Sequence, residues 1–432
     1  MFTEETLEEA GQAETSSPRH ISPHVQTFLT ITAFLGMMGN GLFSPVLLFI
    51  VQPYVSDPRN LAATVGWLSA SYAACQFLAA PGLGLFSDRF GRRPILLICL
   101  FGSAVGYLLF GLGGALWVFF LGRVIDGLTG GNISILFAYV GDIVPPEKRG
   151  AFFGRLGAIL GIGFILGPAI GGFAARISLQ TPVFLAVGVT VVDMLFGIFV
   201  LPESLRPGHR AQRVRIRDLN PFTQLAKVFQ IPKIRWLLLT GFCYYLPFSI
   251  LLATMGVLVY QHLHWGPTEL GLSSLAVGGT DILVQGLLVP QLLPRLGEVR
   301  QAIIALVGVF ISYLLFSTVA FVTSPVLLIG AIILFAGCGG LAEPALAALF
   351  SRAIDPRQQG VVQGGSQSIS ALAMTLGPLL GGLLYTRFGA PVPYWTNAVV
   401  ISAAIVIIAI FVRGGITKTP PQEDLASLEP KE

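Results

Sequence analysis

At 432 residues the chain is long enough for two or three soluble domains, but 54% hydrophobic residues, 11% charged residues and a mean hydropathy of +0.77 exclude that arrangement. So apolar a chain has too little polar surface to cover a soluble core, and it belongs in lipid. The net charge of +4 gives no reason to expect a nucleic acid partner, and what informs is where the charges fall along the chain.

Residues 1–26 are polar and acidic, with Glu4, Glu5, Glu8, Glu9 and Glu14, and lack the pattern of a cleavable signal peptide. They are read as a tail. A spanning helix needs about 20 mainly apolar residues, and such segments fall near 27–51, 62–87, 94–112, 115–141, 150–175 and 181–201. Residues 202–234 form the one long connection, with eight basic residues (Arg206, Arg210, Arg213, Arg215, Arg217, Lys227, Lys233, Arg235 at its edge) against Glu203 and Asp218. That excess suits either a linker lying on anionic headgroups or a simple determinant of topology. Six further spans lie near 235–259, 268–291, 300–321, 325–351, 360–385 and 392–413, and a polar tail follows over 414–432.

Twelve spans put both tails on one side. Short loops on that side carry Arg89, Arg92, Arg93, Lys148, Arg149, Arg295, Arg300, Arg352 and Arg357, whereas the other side has only Arg59, Arg176 and Arg387. By the excess of Lys and Arg on cytoplasmic loops, both termini are cytoplasmic and the protein is a multi-pass protein of the cell membrane. The chain also repeats itself: Leu166-Gly167-Pro168-Ala169-Ile170-Gly171-Gly172 returns as Leu376-Gly377-Pro378-Leu379-Leu380-Gly381-Gly382, 210 positions later, and Gln76 and Gln285 stand 209 apart. Two six-helix bundles, 27–201 and 235–413, with a site between them are expected.

The densest charge lies in Gly84-Leu85-Phe86-Ser87-Asp88-Arg89-Phe90-Gly91-Arg92-Arg93, between the second and third spans. Its G-x-x-x-D-R-x-G-R-R pattern resembles the signature loop of the major facilitator superfamily of secondary transporters. Gly122-Arg123-x-x-Asp126-Gly127 and the two Gly-Pro-x-x-Gly-Gly elements resemble further motifs of that superfamily. Asp142-Ile143, Leu201-Pro202-Glu203-Ser204, Arg295-Leu296-Gly297-Glu298 and Gly377-Pro378 look most like its tetracycline-efflux branch of drug:proton antiporters. The resemblance implies an all-α membrane protein of twelve transmembrane helices in two pseudo-symmetric six-helix bundles. Two departures stand out. Gly36 and Gly106 occupy the positions where tetracycline exporters carry first-span and third-span aspartates, which argues against tetracycline as the substrate.

Ionisable groups inside spans are costly, so each is a candidate site. Arg123 and Asp126 are three apart on one helix face: either Asp126 exchanges a proton under the influence of Arg123, or the two form a permanent neutral pair. Glu343 precedes Pro344 beside Gly337, Gly339 and Gly340, where a proline kink suits proton or cationic-substrate binding as well as a structural hydrogen bond; subtracting the repeat offset lands beside Asn132. Asp281, with Gln285 one turn later, is read in the same two ways, and Asp193 in the sixth span as structural. Candidate cavity walls for an amphipathic molecule are Asn40, Tyr72, Gln76, Asn132, Tyr244, Tyr245 and Gln285, against plain packing. Asp88, Arg89, Arg92, Arg93 and Asp142, with Gly167, Pro168, Gly377 and Pro378, are candidate gating elements, the resemblance implying that the charged loop braces one conformation; a topology anchor is the alternative. Cys75, Cys99, Cys243 and Cys338 lack metal-ligand spacing, and no Walker motif or nucleophile elbow is present, so no metal, cofactor or enzymatic activity is expected. The expected function is proton-coupled export of a small amphipathic molecule by a monomer using alternating access. Uptake or facilitated diffusion of a polar nutrient is one alternative, and a transporter-like receptor or lipid-handling protein is another.

Overall fold

The computed structural model describes residues 23–205, Asn220, 232–352 and 359–413. Most of both expected tails, most of the connection 202–234, and Arg357 lie outside the described residues. Hydrocarbon offers no partner to a backbone N–H or C=O, so a chain this apolar satisfies its backbone within helices, and no strand occurs among the described residues. The amino-terminal half holds α1 (Pro23–Phe43), the short α2 (Leu47–Val51), α3 (Leu61–Phe90), α4 (Arg92–Leu112), α5 (Leu116–Leu128), α6 (Asn132–Ile143), α7 (Pro146–Ala174) and α8 (Thr181–Val200). The carboxy-terminal half holds α9 (Pro232–Leu263), α10 (Pro267–Leu283), α11 (Val289–Val319), α12 (Pro325–Arg352), α13 (Gln359–Phe388) and α14 (Val392–Arg413).

Among the described residues, nine stretches are long and apolar enough to cross a membrane, or ten when α1 and the segment around α2 count as one span bent by 46°. Two more are consistent with twelve. The 30-residue α3 is long enough to span, and the 53-residue run Pro267–Val319 is interrupted at Gly297, whose φ of 73° and ψ of 159° are non-helical. A side chain would be strained there, so glycine suits the turn.

Three spans are less regular than their apolar runs suggest. The first ends its long helix just before Pro45, which cannot donate a helix hydrogen bond. The fourth is two helices, α5 and α6, separated at residues 129–131. Glycines there let α3 approach: a Cβ added to Gly127 would lie 2.5 Å from the Tyr72 carbonyl, and one on Gly131 would lie 2.6 Å from Leu83 Cδ1. The eighth carries a π-helical turn, Val284–Leu288, directly after α10.

Within the halves the pseudo-symmetry is visible in packing. Gly167 of α7 lies against Met38 and Gly41 of α1, and Gly377 of α13 lies against Ser249 and Ile250 of α9. Between the halves, α3 packs on α13 and α7 packs on α10. Each contact is the counterpart of the other under the repeat. The Pro378 carbonyl would lie 2.3 Å from a Cβ on Gly66, and the Pro168 carbonyl 2.4 Å from one on Gly271. Both Gly-Pro elements therefore sit where the halves touch.

These crossings lie toward the end of the molecule opposite the signature loop. The Ala63 N–H donates to Thr386 Oγ1 at 3.1 Å, Thr268 Oγ1 donates to the Gly172 carbonyl at 3.0 Å, and Gln52 Nε2 donates to Tyr260 OH at 2.6 Å. Phe49 meets the Tyr260 ring edge-on at 5.5 Å. Nearer the loop end of α7, Gly150, Gly154, Gly157 and Gly161 have open space around them. The halves are thus closed together at the far end.

Gly66→Val should force α3 and α13 apart and cost about 1–3 kcal/mol, the usual penalty of overpacking. Gly188→Val, at a position with nothing within 4 Å, serves as the control. Thermal unfolding of the purified protein checks this, and a Gly66→Val protein melting with the control contradicts the crossing.

Candidate functional site

Three clusters of polar side chains stand out, two at mid-span and one at the loop end. In the amino-terminal half, Arg123 Nη1 contacts Asp126 Oδ2 at 3.3 Å, with the side chains only 7% and 3% exposed. Helical spacing puts the two on one face, and the surroundings complete their burial. The guanidinium lies over the rings of Tyr72, at 4.1 Å from the centroid, and Phe43, at 5.0 Å, which favours a cation by ring electrostatics. Ser103 is hydrogen-bonded to Asp126, and the buried Nε of Arg123 has no hydrogen-bond partner. Gln76 Nε2 donates to Tyr72 OH at 3.2 Å and to the Gly130 carbonyl at 2.8 Å, tying α3 to the break between α5 and α6.

Gly106 explains the tight crossing of α4 and α5. A Cβ there would lie 2.7 Å from the Gly122 carbonyl and 2.8 Å from Asp126 Cβ. This crossing leaves no room for an aspartate at position 106. Gly36, by contrast, has open space.

In the carboxy-terminal half, Asp281, Gln285, Glu343, Tyr244 and Tyr245 come together from α10, its π turn, α12 and α9. Gln285 Nε2 donates to both oxygens of Asp281, at 2.9 and 3.0 Å. A Cβ on Gly340 would lie 2.6 Å from Asp281 Oδ1, and one on Gly339 3.6 Å from Tyr244 OH. Glu343 shares that face of α12 and lies within electrostatic reach of Asp281, Tyr244 and Tyr245. It is accessible although it stands inside a 28-residue helix. An accessible carboxylate at that depth faces water and not hydrocarbon. Next to it, Gln301 Nε2 of α11 donates to the Leu341 carbonyl at 3.0 Å, tying α11 to α12.

The remaining mid-span candidates stand apart. Asn40 and Asn132 are half-buried on α1 and at the start of α6. Asp193 is buried between α8 and α1, where Thr32 Oγ1 donates to its Oδ1 at 2.8 Å.

At the loop end Arg92 is the hub. It contacts Asp88 Oδ1 at 2.5 Å, Asp142 Oδ2 at 3.0 Å and Ser87 Oγ at 2.7 Å, joining α3, α4 and α6. Ser204 Oγ also donates to Asp142 at 3.0 Å. Arg93 donates to the Ile198 carbonyl at 2.5 Å, and Arg89 lies over Phe90. Glu203 receives the backbone N–H groups of Arg92, Arg93 and Leu205 at 2.8, 3.3 and 3.1 Å. It thereby caps α4, whose first N–H groups have no partner within the helix. Gly91, with φ of 110°, leaves room for this carboxylate: a Cβ there would lie 2.3 Å from Glu203 Oε2.

Sequence reasoning missed Glu203, Ser103 and Phe43 as members of these clusters. For Glu203 the available signal was a helix starting at Arg92 after glycine with no local capping side chain. No comparable signal marks the other two.

Two helical bundles in pseudo-symmetric contact, with polar groups held at mid-span and a charged hub at one end, have the architecture of a membrane transporter. The sequence profile of the Major Facilitator Superfamily matches residues 29–374 and 237–431, and the chain belongs to that superfamily. It is 32% identical over 382 residues to the tetracycline resistance protein, class C, of Escherichia coli, covering 88% of this chain and 93% of that one. With the class B protein of the same organism it shares 31% over 394 residues, covering 90% and 95%. The solved structure of the human organic anion transporter MFSD10 (TETRAN) superposes with a TM-score of 0.68 at 26% identity, covering 90% of this chain and all of that one. A D-xylose-proton symporter, at 18% identity and a TM-score of 0.72 over 90% and 97% of the two chains, shares the fold.

Glu203→Ala should strip three N–H groups of their acceptor and destabilise the α3–α4 corner by about 1–3 kcal/mol. Glu203→Gln, which still accepts hydrogen bonds, should lose less. Denaturation of both variants beside wild type checks the order, and equal stability of all three would refute the capping role.

Proposed function

We propose that this transporter is a proton-coupled antiporter that exports a small amphipathic organic molecule by alternating access. It works as a monomer in the cell membrane with both termini cytoplasmic, the orientation favoured by the Lys and Arg of its short loops. The observation that carries the reading is the Arg123–Asp126 pair, a titratable carboxylate buried under Tyr72 and Phe43 beside its own counter-ion. A proton arriving at Asp126 breaks the neutrality of the pair and frees Arg123, so protonation has a local electrostatic consequence that can bias the arrangement of α3, α4 and α5. Similarity to tetracycline resistance proteins supports export. The crowding at Gly106, where no acid fits, argues for a substrate other than tetracycline.

The Gly-Pro contacts at Gly66 and Gly271 are assigned to closing the outer side, and the Asp88–Arg92–Asp142 hub to the cytoplasmic gate. Asn40, Tyr72, Gln76 and Asn132 are assigned to the substrate wall of the amino-terminal half, and Tyr244, Tyr245 and Gln285 to that of the other.

In proteoliposomes, Asp126→Asn should abolish substrate-dependent proton movement while some substrate exchange persists, because the cavity remains after its titratable group is lost. Full activity driven by a pH gradient in this variant would sink the assignment, and wild-type flux indifferent to the gradient would point to facilitated diffusion.

Asp88→Asn should slow transport with binding preserved, since it removes one of the two carboxylates on Arg92 far from the mid-span sites. Normal flux combined with much weaker binding would contradict the gating role.

A further inference from the structure

Asp281 and Glu343 lie close together in the carboxy-terminal half. Asp126 is neutralised by Arg123 within its own helix. Asp281 and Glu343 have no such partner. Between Arg235 and Arg295, and again between Arg300 and Arg352, the chain contains no lysine or arginine, so spans seven, eight and ten bring no guanidinium or ammonium to these carboxylates. The Gln285 amide donates to Asp281 but carries no charge.

A second observation is independent of the carboxylates. Tyr244 is 9% exposed, its hydroxyl makes no hydrogen bond among the described residues, and it points to Gly339, one turn from Glu343 on α12. A hydroxyl without a protein partner, on a residue this little exposed, is left for a ligand or water to complete. The Tyr244 ring meets Tyr245 edge-on at 5.2 Å, presenting aromatic surface beside the acids. The π turn Val284–Leu288 begins just past Asp281, an irregularity that recurs at functional sites.

We propose that the substrate is an organic cation, held by Asp281 and Glu343 against Tyr244 in the carboxy-terminal half. The carboxylates supply the charge that nothing in the protein balances, the tyrosine rings supply cation–π and apolar contact, and the Tyr244 hydroxyl completes a polar edge of the ligand or its water. An organic anion is disfavoured by the same geometry, because the guanidinium of Arg123 is already committed to Asp126. This inference rests on the export reading only for the direction of movement.

Tetraphenylphosphonium and tetraphenylborate have nearly the same size and shape and opposite charge, so equilibrium binding of each to the purified full-length protein isolates the sign of the site. The phosphonium should bind at least about tenfold more tightly than the borate, and Asp281→Asn or Glu343→Gln should each weaken the phosphonium by about ten- to a hundredfold, the scale of a lost interaction with a charged group. The double variant should lose the preference for charge. Should an acid variant fail to fold, the comparison of the two ions on wild type still decides. Borate binding as tight as phosphonium binding, a wild type that binds neither ion, or a double variant with wild-type phosphonium affinity would each overturn the proposal. Proton-linked flux of a neutral or anionic solute without cation binding refutes this inference and leaves proton-coupled export standing. Cation binding with flux indifferent to pH does the reverse.

Discussion

Everything in this molecule answers to the cost of an unpartnered polar group in hydrocarbon. Apolar spans alone satisfy their backbones as helices, but each departure from that pattern requires a partner or water. Asp126 has Arg123, Asp193 has Thr32, and the Leu341 and Pro247 carbonyls receive amides from Gln301 and Asn397 at 3.0 Å each. Glu343 and Asp281 lie close together without a cation beside them, and as a pair they stand out as a place for something that arrives from outside the protein.

The same constraint governs how helices meet. Lipid supplies no hydrophobic drive between spans, so close approach through small residues is what holds them together. The contacts between halves are built this way, with Gly66 under the Pro378 carbonyl and Gly271 under that of Pro168. Such contacts are short and involve few side chains that would have to change conformation. They suit a surface that must separate and re-form, whereas the interlocked Arg92 hub at the other end is a network of charge-assisted bonds within one half. The contact between halves depends on shape, and the hub inside the amino-terminal half on charge. Alternating access needs states in which each end opens, and these two chemistries give the ends different sensitivities to sequence change and to ionic strength.

The pseudo-symmetry is close in backbone packing and broken in charge. Gly167 on α1 and Gly377 on α9 are equivalent contacts, yet Asp126 is paired with Arg123 whereas Asp281 and Glu343 have no cation beside them. Under the proposed function, duplicated scaffolds with unlike polar groups let one half respond to a proton while the other selects the solute.

Much of this was legible in the sequence because its cause is local. A run of about 20 apolar residues spans a bilayer whatever surrounds it, a charged decapeptide must leave the bilayer, and a repeated Gly-Pro-x-x-Gly-Gly element declares two halves. The i, i+3 spacing of Arg123 and Asp126 likewise foretold a contact that the structure contains. What tertiary structure decided is every relation between distant segments: that Glu203 caps α4 more than a hundred residues earlier in the chain, that Phe43 and Tyr72 enclose Arg123, that Gly106 is a crossing point with no room for an acid, and that the Tyr244 hydroxyl lies beside Gly339 of α12. These depend on which helix faces which and at what height, and a pattern of apolar residues with little amphipathic contrast does not specify rotation about a helix axis. Only packing, settled by where small residues permit approach, fixes that rotation and so decides which polar groups share a site.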